Sequence, residues 1–450
     1  MKRFRIIGSY NSEVVSTETN DVYNVITIPL RANDMDSLLG MDHVKTLLER
    51  NNIYPTESAY DLLALAFLVY TSDTRISRTI HGQDSWTREI YLELPVLEYE
   101  RWSTQKVSIQ RMLRFLTGDI WSIDFTQREQ TLTNAIGEKN GEFDSISLFS
   151  GGMDSLISTI NLMECGKNTL LAAHAAEGLV KKSQTDIISK LDAIYPSTKH
   201  TLIDLWTTIP KGLIAEGGEE NTTRSRSFLF ISFAIFIASG TANLNKLIIP
   251  ENGLIALNVP LDPMRVGSHS TRTTHPFYLG LWNEMLLGLG FIIQVENTYW
   301  NKTKGEMANE CLNKEVLLET IPLSMSCSSP GKIRYRSAAP QHCGYCLPCL
   351  IRRAAMHKAF PYEDPTLYFE KNVSKLVSDR EQERGVQIRS IQYAIQRVKD
   401  DPEYAKYAIM KPGPLAKDSD YLSDLADVYL RGLMEVNKWI QDSLVKENVN

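Results

Sequence analysis

Long apolar runs, internal repeats and an excess of positive charge are all missing from this 450-residue chain. The most apolar helix candidate, Phe228 to Ala238, falls well short of the roughly 20 residues that a bilayer span requires. It reads as a buried core helix, and no membrane role is expected. No period of roughly 20–50 residues recurs, which excludes solenoids and propellers. The formal net charge of −6 argues against non-specific nucleic-acid binding as the main role, because that role needs cations spread over a phosphate backbone. Met1-Lys-Arg-Phe-Arg-Ile-Ile-Gly8 runs into polar residues rather than the apolar core of a secretory signal. Cysteine is scarce. Four of the six cysteines stand at close, metal-like spacing, which suits a reducing compartment, and a cytoplasmic location is expected.

The most informative stretch present is Asp144 to Ser155. A short apolar strand runs into Ser150-Gly151-Gly152-Met153-Asp154-Ser155, and the helical pattern of Leu156, Ile157, Ile160, Leu162 and Met163 follows at once. Two glycines allow a tight turn with successive N–H groups close to an anion. A helix starting there adds unpaired N–H donors and the positive end of its dipole. Ser150 and Ser155 offer hydroxyls, and Asp154 can orient the loop or hold Mg2+. The result is a phosphate cradle, without the spacing of a Walker loop or of a dinucleotide fingerprint.

From Phe143 onward strands and helices alternate. Strands are expected at Ser145–Phe149, Thr169–Ala175, His200–Leu205, Lys246–Ile249 and Phe291–Glu296, with helices at 155–165, 183–194, 224–239 and 276–289. Repeated βα units imply a parallel, doubly wound sheet that binds ligands at the carboxyl ends of its strands. Three regions follow: a mixed α/β extension over 1–140, an α/β domain over 141–364, and a helical region over 365–450 in which Pro412 and Pro414 separate two amphipathic stretches. That last region reads as a packing appendage. Trp86, Trp102 and Trp121 in the extension read as core.

Cys327, Cys343, Cys346 and Cys349 form Cys-x15-Cys-x2-Cys-x2-Cys. Two-residue gaps let neighbouring thiolates converge on one ion, and the distant fourth closes a tetrahedron. Four thiolates leave no open position, so the expected role is a structural zinc; an iron–sulfur cluster is the competing occupant. Cys165 and Cys311 lack such spacing and are expected to be merely buried.

Ser-Gly-Gly-x-Asp-Ser after a strand resembles the pyrophosphate loop of the PP-loop ATPases. The loop combined with the downstream Cys-Gly-x-Cys-x-x-Cys knot resembles the QueC family of 7-cyano-7-deazaguanine synthases. Arg226-Ser-Phe-Leu-Phe, Thr303-Lys304-Gly305-Glu306 and Cys349-Leu-Ile-Arg352 agree. Glu251-Asn-Gly-Leu-Ile-Ala-Leu-Asn258, the block from Gly267 to Pro276, the extension and the helical tail look like the QueC-like QatC proteins of bacterial Qat anti-phage systems.

The resemblance implies an α/β PP-loop ATPase fold of the HUP type, a parallel sheet with helices on both faces. It also implies use of ATP, Mg2+ and a structural Zn2+. It places Ser150, Gly151, Gly152, Met153, Asp154, Ser155, His174 and Arg226 at ATP, with Asp154, Lys304 and Arg226 as the catalytic set. Glu251, Asn252, Asn258, Arg265, Arg272 and His275 become the candidate contacts to a 7-deazaguanine-type substrate. For these residues bland roles stay open: a solvated helix start for Arg226 and neighbouring Arg224, an exposed lysine for Lys304, a capped loop for Glu251, Asn252 and Asn258, and helix capping for His275.

The expected activity is ATP-dependent adenylation of a 7-deazaguanine carboxylate, with the acyl group passed to an amine, on a partner among the Qat defence proteins. Alternatives are synthesis of the free nitrile from ammonia, tRNA thiolation, and a non-catalytic nucleotide-sensing scaffold.

Overall fold

In the computed structural model the described residues are 3–449, other than 12–14, 21, 31–38, 133–136, 176–177, 208, 211–212, 215–219, 221, 262–271, 329, 332, 334–338, 380–382 and 417. Residues 1–140 build a sheet of their own. Strands β1 (Arg3–Ser9), β2 (Ser16–Thr19), β3 (Tyr23–Pro29), β4 (Glu89–Val96) and β5 (Ile120–Gln127) run in the order β2-β3-β1-β4-β5. All its pairings are parallel except β2 with β3. In β4 the buried Ile90, Leu92, Leu94 and Val96 alternate with half-exposed neighbours, the period of a strand with one covered face. Helices α1 (Glu57–Arg75) and α2 (Tyr99–Thr117) lie against this sheet.

The second sheet holds β6 (Ser145–Leu148), β7 (Thr169–Ala175), β8 (His200–Trp206), β9 (Lys246–Ile248) and β10 (Gln294–Glu296). Every pairing is parallel, in the order β10-β9-β6-β7-β8. The intervening helices are α3 (Met153–Glu164), α4 (Gly178–Ile194), α5 (Arg226–Ser239), the short α6 (Gly253–Leu257) and α7 (Pro276–Gly288). Strand β7 is buried throughout, because Leu171 lies in the core with α3 and α4 while Leu170 and Ala172 lie in the core with α5. Helices therefore cover both faces, as parallel strands require. The chain runs from β6 out to β7 and β8, then returns past β6 to β9. The topological switch point lies between β6 and β9, where such sheets bind ligands.

Helix α1 packs on α5, and α2 packs on α7. One apolar core consequently runs from Ile6 and Leu92 of the first sheet to Ile146 and Leu247 of the second. The boundary near 140 separates two sheets but not two cores. Phe228, Phe233 and Phe236 of α5 are inaccessible in this seam, and each contributes about 1.5–3 kcal/mol by burial. The seam also holds a buried ionic network. Arg88 Nη2 donates to Asp73 at 2.7 Å and to Asp119 at 2.6 Å, and Arg78 Nη2 donates to the same pair at 2.8 and 2.6 Å. Asp73 also accepts from the Ser225 N–H at 2.7 Å. Two cations facing two anions avoid an uncompensated buried charge, and the arrangement ties the start of α5 to the extension. Trp102 and Trp121 are core residues as expected. Trp86 is half-buried instead, stacked under the Arg224 guanidinium at 4.2 Å.

Three later helices reach the switch point or its surroundings: α8 (Lys304–Asn309), α9 (Leu347–Ala359) and the 31-residue α10 (Ser419–Val449). Strand β10 is shorter than its apolar sequence suggests. Gly290 at φ +81° and the Phe291 N–H bonded to Leu286 C=O end α7, which leaves Phe291 to Ile293 outside the ladder.

Candidate active site at the sheet switch point

The loop after β6 is shaped by one backbone position. Gly151 has φ +77°, and a Cβ there would sit 3.1 Å from Gln184 Cγ and 3.3 Å from Ser183 Oγ. Glycine alone satisfies both conditions. The Gly151 carbonyl accepts from the Met325 N–H at 2.8 Å and the Ser183 hydroxyl at 3.2 Å. Ser155 Oγ donates to Gly152 C=O at 3.0 Å and lies 3.2 Å from Ser150 Oγ. The Met153 side chain is in the core; only its N–H serves the loop, donating to Ser326 Oγ at 3.2 Å. The 12-residue α3 begins at this point, so its dipole and free N–H groups face whatever occupies the loop.

Asp154 turns inward to the end of β9. Lys304 Nζ lies 2.8 Å from one carboxylate oxygen, and Asn252 donates to the other through Nδ2 at 2.7 Å and through its N–H at 3.2 Å. Asn252 Nδ2 also reaches Glu251 at 3.1 Å. Burial pushes the Asp154 carboxyl upward, but the Lys304 ammonium and hydrogen bonds from Glu251, Lys304 and Asn252 outweigh it and hold the group below its ordinary value. Burial and the Asp154 charge push Glu251 well above its ordinary value. The two buried carboxyls are thus pushed in opposite directions, Asp154 toward its charged form and Glu251 toward its neutral one. A Mg2+ ion beside the loop would have to take a carboxylate oxygen of Asp154 from Lys304 or Asn252, which engage both. Lys304 is only 7% exposed, so it is an internal partner of the loop and not a solvated helix lysine.

The tail fixes Lys304. Thr303 and Glu306 form a reciprocal cap on α8. Glu435 of α10 accepts from Thr303 Oγ1 at 2.7 Å and from the Gly305 N–H at 2.9 Å, and it pairs with Lys358 at 3.2 Å. A Cβ at Gly305 would fall 2.4 Å from Glu435. Glu435→Ala is therefore expected to lower the unfolding free energy by about 1–3 kcal/mol, measured by urea denaturation, and to weaken any activity that depends on Lys304.

On the β7–β8 side His174 Nε2 lies 3.2 Å from Thr207 Oγ1, with its ring near Tyr70 and Phe230. Burial first, and the charge of Arg226 second, drop its pKa to about 3. Arg226 is exposed at the start of α5. Tyr70 comes from the extension and has no sequence motif to announce it. Arg224 instead points into the seam, donating to Thr117 C=O at 2.8 Å.

The other expected substrate contacts are dispersed. Asn258 ends α6 in the left-handed region at φ +50°. Arg272 donates to Phe115 C=O at 3.0 Å and stacks on that ring at 4.7 Å, an engagement with the end of α2. His275 is an N-cap, its Nδ1 accepting from the Phe277 N–H at 3.2 Å, which is the capping role left open for it. Arg265 lies outside the described residues.

Three buried imidazoles, His174, His275 and His342, are all depressed to about 3, in each case mainly by burial. Depressed histidines stabilise the fold above their unfolded pKa near 6.5 and lose that contribution as pH falls toward 3. Unfolding free energy is expected to drop between pH 7 and pH 5, by up to about 1.4 kcal/mol per pH unit for each histidine, as read by denaturant titration.

Cys327, Cys343, Cys346 and Cys349 converge with all four Sγ atoms within 4.8 Å of one another. Tetrahedral ligands at the Zn–S distance lie about 3.8 Å apart. Cys327–Cys346 and Cys343–Cys349 each stand at 3.9 Å, so the cluster is compatible with a structural zinc. The Cys343 and Cys346 N–H groups point at neighbouring sulfurs. The knot is joined to the loop: Ser326, next to Cys327, takes the Met153 N–H, receives Arg352 Nη1 at 3.2 Å and donates its own N–H to His342 at 3.2 Å. Arg352 is inaccessible, and its guanidinium donates to neutral oxygens of Ser326, Thr366 and Ile321. Sequence reading flagged the position of Arg352 but missed Ser326, Gln184, Tyr70 and Glu435. Cys311 is buried, whereas Cys165 is exposed and corrects the expectation for it; it follows the last turn of α3, where the chain has left the core.

Neither a family model nor a curated protein matches this sequence.

Proposed function

We propose that the switch point is the active site of an ATP-dependent ligase that adenylates the carboxylate of a 7-deazaguanine-type substrate. The observation that carries the reading is the junction of a glycine-turned anion loop with the Asp154–Lys304–Asn252–Glu251 cluster. A substrate carboxylate oxygen attacks the α-phosphorus, the bond to the β-phosphate oxygen breaks, and pyrophosphate leaves into the Gly151–Ser155 loop. Backbone N–H groups and the α3 dipole stabilise that leaving group, while Lys304 and Arg226 supply positive charge. An amine then attacks the acyl carbon, AMP departs, and the amine gives up a proton.

The extension and the tail both border this site, through Tyr70 and Glu435, which favours a polypeptide amine over ammonia as acceptor. Sulfur transfer fits less well. The exposed Cys165 follows the far end of α3, about 18 Å from the loop at 1.5 Å per residue. Mass spectrometry of Qat partner proteins incubated with the enzyme, ATP, Mg2+ and 7-carboxy-7-deazaguanine tests the acceptor. A partner gaining the acyl mass is expected; free amide or nitrile at full rate without partners would overturn the assignment.

A further inference from the structure

A cavity of about 310 Å3 lies between α9, the segment 360–371 that follows it and the tail helix α10, and no residue of the switch point lines it. Neighbouring residues of α9 divide the two places, because successive side chains leave a helix about 100° apart. Arg352 turns to Ser326, which holds the Met153 N–H, and Arg353 turns to the cavity. The Arg353 guanidinium stacks on Tyr368 and Trp439, 5.0 and 4.7 Å from the ring centroids. It donates to the main-chain carbonyls of Gly344, Glu370 and Lys371; these three bonds leave the Nε–H and one Nη2–H without a partner among the described residues. That Nε is not shut off from solvent. The acidic groups around it are already spent. Asp364 accepts from the Thr366 N–H at 3.0 Å and the Tyr368 hydroxyl at 2.9 Å, and Asp442 engages His357 at 2.8 Å and Lys438 at 3.1 Å. Glu447, whose charge also reaches Arg353, accepts from the Val373 and Ser374 N–H groups at 2.7 and 2.8 Å. The Cys349 sulfur, which acts on Arg353 as well, belongs to the knot. Lys371 is exposed and makes no ion pair among the described residues. The uncommitted charge at the cavity is therefore positive.

Tyr362 borders the same cavity at φ +69° and is 74% exposed. A bulky side chain in the left-handed region is strained, and such strain gathers at ligand sites. Its ring meets His357 edge-on at 5.9 Å and lies under the Lys446 ammonium at 4.8 Å. We propose that this cavity binds a small aromatic anion, a single or fused ring carrying a carboxylate or a phosphate. Arg353 and Lys371 hold the anionic group, and Tyr362 lies against the ring. A planar guanidinium with donors to spare suits a group with several oxygens, and aromatic walls suit a flat π face. The volume is at the lower end of small-molecule sites, which suits one ring system. The tail, expected from sequence to be only a packing appendage, supplies one wall through Trp439 and Lys446. The inference does not rest on the proposed adenylation, since it needs neither ATP nor the switch-point cluster.

Isothermal titration of the full chain with phenyl phosphate and with benzoate tests the proposal. Benzyl alcohol and inorganic phosphate serve as the ring alone and the anion alone. Millimolar binding of at least one aromatic anion is expected, with both controls weaker by about ten-fold or more. The tighter of the two names the anionic group that the cavity takes. Lys371→Glu reverses an exposed charge, and Tyr362→Gly removes the ring while relieving the left-handed backbone, so neither threatens the fold. Each is expected to weaken binding by about ten-fold or more at an unchanged melting temperature. Binding that is unaltered in both variants overturns the proposal, because the probe then sits elsewhere, on the anion loop first of all. Absence of binding to the parent protein at millimolar concentration overturns it as well. So does inorganic phosphate that matches phenyl phosphate, which rejects the ring, or benzyl alcohol that matches both anions, which rejects the charge.

Discussion

Asp154→Asn is expected to reduce ATP–pyrophosphate exchange by about 10²–10³-fold while costing less stability than the loss of a buried ion pair usually does. Removing one member of such a pair typically costs about 3–5 kcal/mol, because the other charge is stranded. Here Lys304 has a reserve. Burial and the Asp154 charge push Glu251 toward its neutral form, while the Lys304 charge draws it the other way; once the Asp154 charge is gone, Glu251 is expected to ionise and pair with Lys304. The single variant therefore keeps most of its stability, and the double variant Asp154→Asn with Glu251→Gln suffers the full penalty. Urea denaturation reads the difference. The pH dependence follows with opposite signs for the two groups. The contribution of Asp154, whose folded pKa is lowered, is present above its unfolded value and fades as pH falls. That of Glu251, whose folded pKa is raised, is complete below its unfolded value and fades as pH rises through the folded one. Glu251→Gln should remove the second loss and spare the first. A double variant no less stable than Asp154→Asn would show that Glu251 holds no such reserve.

Removing the metal from the cysteine knot should have the largest effect on stability. Structural zinc in small sites contributes about 10–16 kcal/mol, comparable to the whole net stability of a typical domain. Cys349→Ser, or a strong chelator, is expected to unfold the knot and lower the melting temperature by more than about 10 °C, on the order expected for several kcal/mol. Plasma emission should find about one zinc per chain before treatment, as a single four-thiolate site requires. The knot should also govern nucleotide binding, because Ser326 joins Cys327 to the Met153 N–H and the next residue back, Met325, holds Gly151. ATP affinity is expected to fall at least ten-fold, about 1.4 kcal/mol, in the metal-free protein. Metal-free protein that keeps full ATP affinity would mean that the loop is independent of the knot.

Local features were legible in the sequence. The βα alternation from 143 onward pointed to the parallel sheet, with Thr169–Ala175 matching at both ends, because continuous apolar strands and amphipathic helices carry their period within a few residues. The Gly151 turn and the cysteine cluster were legible for the same reason, since their spacing sets their geometry. Contacts made at long range were not. The extension's sheet depends on β1 pairing with β4 across almost 80 intervening residues, and nothing in either strand names its partner. The upward push on Glu251 arises from burial beside Asp154, almost 100 residues away. Glu435 and Ser326 look like ordinary polar residues until folding brings them to Lys304 and Met153. Arg272 and His275 fit a substrate role by residue type, but the seam with α2 and the start of α7 already engage them.

Asp154, Lys304 and the Gly151 turn are proposed to form an adenylating site. Exchange of labelled pyrophosphate into ATP tests it most directly, run with Mg2+ and 7-carboxy-7-deazaguanine and compared with 7-deazaguanine in its place. Exchange is expected to require the carboxylate and to collapse in Asp154→Asn and Lys304→Met. Exchange at background level in the parent protein with ATP demonstrably bound, or equal exchange with and without the carboxylate, would contradict it.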